Sequence, residues 1–166
     1  GDLNDTQFKL YRTSLFLGKL VLAGFFFHAI LRMYPDTYSL QSLLAGSISF
    51  ILGATGLENT VHGIAIFTRQ SVYVISQDCL GWKSMAVFTG LVFASDHDLR
   101  EHYLFILGGL FFIAAANVVR VVTTIILSDL GVFSFELVHG ILWKWGLTVL
   151  VLILWAAWFR SRAAKK

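Results

Sequence analysis

Proline is almost missing from this chain: Pro35 is the only one in 166 residues. Cysteine is as rare, with Cys79 alone, so no intramolecular disulfide can form and the redox compartment cannot be read from pairing. Charged residues make up 14%, where a soluble domain carries about 25%. No stretch matches the H-E-x-x-H zinc pattern or a G-x-S-x-G serine block, which argues against the intramembrane proteases built on those motifs. There is no internal repeat, no low-complexity tract, and no secretory signal with a small-residue cleavage site at the start.

What fills the space is apolar. Hydrophobic residues reach 57%, with 15 Phe and 5 Trp, and the mean hydropathy is +0.72. This is the composition of a chain whose solvent is lipid. The net charge is +3 and the pI about 9.2. The basic residues stand at the ends of apolar runs and in the tail, so they read as topology signals rather than as a nucleic-acid surface.

Apolar runs cover about Thr13–Met33, Ser39–Gly56, Leu80–Ala94, Tyr103–Leu127 and Leu137–Phe159. A hydrocarbon core of roughly 30 Å needs helices of about this length. The expectation is an all-α, polytopic integral membrane bundle of about five transmembrane helices, one domain over 1–166. Residues 1–12 are expected to be an interfacial N-terminus and 160–166 a basic cytoplasmic tail. Residues 57–78 are half polar and rich in β-branched side chains. Ile64–Phe67 and Val72–Ile75 flank Thr68-Arg69-Gln70-Ser71, which predicts a short hairpin-like segment outside the membrane, just before Cys79.

Five crossings put the termini on opposite sides. With the C-terminus inside, and leaving out the more deeply placed Lys19, Lys83, Arg120 and Lys144, the inner face holds Arg32, Arg100, Arg160, Arg162, Lys165 and Lys166, and the outer face Lys9, Arg12 and Arg69. The positive-inside rule favours that orientation. Cys79, the C-terminal part of the fourth run and the start of the fifth then face outside.

Three reactive groups converge there. Cys79 is expected in the first turn of the third helix, where the macrodipole favours thiolate. Lys83, four residues on, would share its face and add positive charge. His139, opening the fifth helix, suits a general acid or base. Arg120 in the fourth helix is the most telling residue, because an arginine at the centre of a membrane helix costs roughly 2.5–3.5 kcal/mol. Its guanidinium suits an oxyanion or a carboxylate. Asn117, one turn earlier, is placed to position it or a substrate. Each residue also has a structural reading. Cys79 would be inert packing, Arg120 an ion-pair partner of Asp129 or Glu136, His139 a helix cap, and His28 an interhelical hydrogen-bonder. A non-enzymatic transporter or complex subunit, using Arg120 and His139 for ion pairing or binding, is the alternative function. Its polar residues would line a path through the bilayer, whereas here they gather at one face. The charged turn with His97, Asp98, Glu101 and His102 does not match zinc-ligand spacing, and no metal or cofactor is expected.

The local sequences resemble a known family. Cys79-Leu80-Gly81-Trp82-Lys83-Ser84 looks like the C-x-G-x-[RK]-S block of the exosortase/archaeosortase family. Asn117-Val118-Val119-Arg120-Val121 is similar to its N-x-x-R-[IV] block. Gly131-Val132-Phe133, leading to His139, resembles its final block. Order, spacing and membrane context agree over about residues 40–155. The chain departs in size, reading as a short member beside relatives with extra N-terminal helices, and in Lys83, where arginine is common. The resemblance implies a prokaryotic plasma-membrane cysteine transpeptidase acting on proteins with a C-terminal sorting signal: a motif, a transmembrane helix and a basic cluster. It implies Cys79 as nucleophile, Arg120 as substrate or oxyanion binder and His139 as acid/base, with Lys83, Ser84 and Asn117 in support. The acyl group would pass to an amine, on a lipid or elsewhere, or to water.

Overall fold

The structure is a computed structural model that describes the backbone of residues 5–33, 36–95, 103–132, 140 and 143–163. It is mostly helical. In chain order come α1 (Asp5–Met33), α2 (Tyr38–Ala54), β1 (Asn59–His62), β2 (Ala65–Thr68), β3 (Val72–Val74), a 3-10 turn (Gln77–Leu80), α3 (Trp82–Ser95), α4 (Tyr103–Asp129) and α5 (Trp143–Ala163). Residues 6–30 and 103–129 are long and apolar enough to cross a bilayer, while α2 and 145–160 are shorter apolar helices.

The helices form two tiers joined by α4. In the first tier α1, α3, α5 and the N-terminal half of α4 enclose Phe88, Leu91, Val92, Ile113, Val151 and Trp158, with Phe16 and Leu20 of α1 against them. The α3–α4 crossing is tight. A Cβ on Gly109 would lie 2.5 Å from the Phe88 ring, so only glycine admits that ring. The second tier packs α2 and the strands on the C-terminal half of α4, around Ile48, Leu52, Ile66, Ile75, Val121 and Ile125.

Residues 59–74 form a three-stranded antiparallel meander, β1-β2-β3, one strand more than the hairpin the sequence suggests. Asn59–His62 is the added strand; its Asn59 Nδ2 donates to the carbonyls of Ser49 and Leu57, tying it to α2. The register sets Ile66 opposite Tyr73. Both are buried, while Phe67, Val72 and Val74 point outward, the period-2 pattern of a sheet covered on one face. Polar contacts fix the sheet at both ends. Gln41 Nε2 donates to the Ile75 carbonyl at 2.8 Å, and Thr68 Oγ1 donates to Asp129 Oδ1 at 2.5 Å.

Helix directions correct the expected path of the chain. Phe27 of α1 stacks on Trp82 at the start of α3, with ring centroids 5.5 Å apart. Leu20 and Ala23 approach Gly90 further down, so α1 runs antiparallel to α3. Trp155 Nε1 of α5 donates to Ser95 Oγ at the end of α3 at 3.0 Å, so α5 runs parallel to α3. The first turns of α1 and the last of α5 therefore share one end, opposite Cys79, and Arg12 and Phe159 line the same cleft there. The sequence expects these ends on opposite sides, because five successive runs imply five alternating crossings. The physical reason for the difference is α2. It packs on the strands and α4 instead of folding back along α1, its apolar face being matched by Ile66, Ile75 and Ile125. From Asp5 on, the expected interfacial N-terminus is continuous with α1. His28 lies on an exposed face of that helix.

Gly81 separates Cys79 from α3. Its φ of +73° is left-handed, a conformation that L side chains adopt at a cost. Its carbonyl accepts from the Ser84 and Met85 amides, which starts α3 one residue later. A Cβ there would also lie 2.8 Å from Asn117 Cγ. The expected place of Cys79, inside the first turn of α3, is corrected accordingly: it sits in the preceding 3-10 turn.

Two outcomes follow from this packing. Reporter fusions to the two termini should read the same side of the membrane, and reporters on opposite sides would refute the antiparallel setting of α1 and α3. Gly81→Ala should lower stability by about 1–3 kcal/mol through backbone strain and the Asn117 contact, seen as a fall in the detergent melting midpoint. An unchanged midpoint would contradict the left-handed assignment.

Candidate active site

The 3-10 turn carries Cys79, and three contacts hold it. Its amide donates to the Ser76 carbonyl at 3.0 Å. Its carbonyl accepts from Asn117 Nδ2 of α4 at 2.6 Å. Its Sγ lies 3.4 Å from Ser76 Oγ. The thiol is buried at 9% exposure and lines a hollow of about 30 Å³ with Tyr73, Val121, Thr124 and Ile125. That is far below the roughly 300–1,000 Å³ of a ligand pocket, too little for a peptide.

One turn beyond Asn117, Arg120 is 7% exposed. Its Nε and Nη2 have no hydrogen-bond partner among the described residues. Buried polar atoms are paired in the great majority of cases, and a charged group pays most when it is not. Arg120 faces a cleft of about 480 Å³ between α3 and α5. Asp78, Lys83 and Ser84 form the polar part of the wall, and Val87, Leu147, Val151 and Leu152 the apolar part. Arg120 is also within electrostatic reach of Cys79 and Asp78. Arg120 thus lines a cleft next to a turn that bears a thiol, with two guanidinium nitrogens buried and unengaged among the described residues.

The sequence-derived residues fall as follows. Asn117 and Arg120 meet the Cys79 turn from α4. Asn117 holds the cysteine's backbone, with its own Oδ1 buried and unpaired among the described residues. Ser84 lines the Arg120 cleft. Lys83 does not serve the thiol as expected. Because Gly81 breaks the helix, the two are not on one helical face, and Lys83 Nζ pairs with Asp78 Oδ1 at 2.7 Å and lies over the Trp82 ring. Both partners of that pair are exposed, so it contributes at most about 1 kcal/mol. Asp129, a candidate structural partner of Arg120, is engaged by Thr68 instead. His139 lies outside the described residues, as do Glu136 and the charged turn from His97 to His102.

Two residues escaped the sequence reading. Ser76 touches the thiol, and its only signal was a hydroxyl three residues before a lone cysteine. Asp78 pairs with Lys83, which adjacency to Cys79 and the i, i+5 spacing would have suggested only if the helix break at Gly81 had been foreseen.

No curated protein and no solved structure matches the chain. A family model described as transmembrane exosortase (Exosortase_EpsH) matches residues 6–159. That span takes in α1 to α5 up to Phe159, the meander, the 3-10 turn and both sides of the Arg120 cleft. The chain is therefore a membrane protein that belongs to the transmembrane exosortase family.

Proposed function

We propose that this protein is a membrane-embedded cysteine transpeptidase that cleaves the C-terminal sorting signal of exported proteins through a thioester on Cys79. The observation that carries the reading is Arg120. It is buried, two of its nitrogens are unengaged among the described residues, and it lines a cleft beside the Cys79 turn. Family membership supports the same chemistry, since exosortases are membrane transpeptidases in general terms.

The substrate's helix enters sideways from lipid, between α3 and α5, and lays its outer turns against Val87, Leu147 and Val151. The peptide carbonyl comes to Arg120. Cys79 must turn its thiol out of the small hollow to meet it, while Asn117 keeps the backbone fixed; unliganded sites are commonly looser than reacting ones. The thiolate attacks the carbonyl carbon, and Arg120 donates to the developing oxyanion. The C–N bond breaks, and the leaving amine takes a proton from His139. An acceptor amine, on a lipid or elsewhere, or water then gives a proton to His139, attacks the thioester and frees the thiolate. Ser84 and Lys83 stand at the mouth, where the peptide next to the scissile bond would lie.

The Cys79 end faces outside in this reading. Lys9, Arg12 and Arg160 gather at the opposite end, and Arg162, Lys165 and Lys166 follow in the tail, which is the positive-inside signature. The site then sits near the outer interface of a prokaryotic plasma membrane, in a multi-pass protein.

The deciding assay is processing of a sorting-signal protein in cells, with membrane levels measured alongside. Cys79→Ala should fold and process nothing, because the chain has no other thiol. Cys79→Ser should be close to inactive, a hydroxyl being far less acidic. Arg120→Lys should lose about a hundredfold or more, because lysine lacks the planar fork. His139→Ala retains part of the activity where water relays the proton. Full processing by Cys79→Ala at normal levels would end the cysteine mechanism. Ser76 offers a separate check on the thiol's surroundings. Ser76→Ala should slow alkylation of Cys79 by a maleimide up to about tenfold, the weight of one hydrogen bond, and Ser76→Thr should restore it. Equal rates in all three would remove Ser76 from the site.

A further inference from the structure

At the end of the bundle opposite Cys79, a second cleft of about 330 Å³ opens between α1, α3 and α5. We propose that it binds the headgroup of an anionic phospholipid. Two cations line it, Arg12 and Lys19 of α1. They are seven residues apart, two helical turns, so they share a face about 10 Å apart along the axis. Arg12 is braced over the Phe8 ring, 5.8 Å from its centroid. Lys19 lies deeper, half-buried within the apolar run. Opposite them, Trp155 Nε1 donates to Ser95 Oγ at 3.0 Å, and Ser95 Oγ donates to the Leu91 carbonyl at 2.7 Å. The indole is thus fixed with its ring toward the cleft, beside Phe16 and Phe159.

A cationic pair with aromatic and aliphatic flanks, at the end of a membrane bundle, matches a phosphate head with acyl chains running along the helices. A soluble anion would use the cations and leave the apolar flank bare. A sorting signal's basic cluster carries the same charge as the cleft and is repelled by it. The site is therefore separate from the Arg120 cleft and does not depend on the proposed reaction.

The test uses the full chain in nanodiscs of phosphatidylcholine with or without phosphatidylglycerol. Native mass spectrometry reads the retained lipid, and the melting midpoint reads stability. The wild-type protein should retain phosphatidylglycerol selectively and melt higher in its presence. R12Q/K19Q should weaken that retention by about thirtyfold, two cations' worth. The charge-preserving R12K/K19R should keep it. Maleimide labelling of Cys79 reports whether each variant is folded. Equal retention of the two lipids by the wild type overturns the proposal; this is the result expected if Asp96 and Asp98, next in the chain after Ser95, neutralised the cations. So does an equal rise in midpoint from inorganic phosphate alone, which would make the cleft an anion site without lipid preference.

Discussion

One hydrogen bond ties the chemistry of this protein to its architecture: Asn117 Nδ2 to the Cys79 carbonyl, 2.6 Å long and buried. It joins the helix that runs through both tiers to the turn that carries the only thiol. In low-dielectric surroundings such a bond is strong, and losing either partner strands a buried polar group. Gly81 is bound by the same contact, since its Cα lies where a side chain would strike Asn117. Its left-handed backbone turns the chain from the 3-10 segment into α3. Asn117, Cys79 and Gly81 are thus one mechanical unit, and Arg120 follows one turn later on the same helix.

That unit sits where it does because the helices differ in length. α3 has 14 residues and spans about 21 Å; α4 has 27 and spans about 40 Å. α3 therefore gives out partway along α4, and the remaining turns of α4 need another cover. α2 and the meander supply it, with Ile48, Leu52, Ile66 and Ile75 closing over Val121 and Ile125. Cys79 marks the seam between the two covers. The seam is also where a lipid-facing opening is cheapest to leave, because neither tier's core is continuous across it.

Much of this was written in the residues, and the limits of the reading are physical. The apolar runs located α2, α3 and α4 to within a few residues, because lipid-length hydropathy is a strong local signal. Arg120 and Asn117 stood out because polar groups in such a run are costly. The alternating residues before Cys79 betrayed strands, though β1, with only Asn59–His62, was too short and polar to be seen. What stayed hidden was non-local. Hydropathy cannot say whether α2 folds back on α1 or stacks on α4, and that choice decided where the termini lie. The assignment of Cys79 to α3 failed because glycine's φ is invisible in sequence. Once Gly81 is left-handed, the i, i+4 relation between Cys79 and Lys83 lapses, and Lys83 is free to meet Asp78.

The relation between the thiol and the guanidinium bears on how such a site can be both stable and reactive. Arg120 pays for burial without an internal acceptor among the described residues, while Cys79 is sheltered in a hollow that admits no peptide. A site with both groups already aimed at one point would hold an activated thiolate open to any electrophile in the membrane. Here α3 and α5 meet at Ser95 and Trp155 and leave the Arg120 cleft toward their other ends. In the proposed reaction, a carbonyl filling that cleft would satisfy the guanidinium at the moment the thiol is needed. Binding energy would then be gained only where an acceptor oxygen is present, which would favour a peptide over a bare hydrocarbon helix. In the proposed reaction, the orphaned arginine is the group that would tell a scissile peptide from lipid.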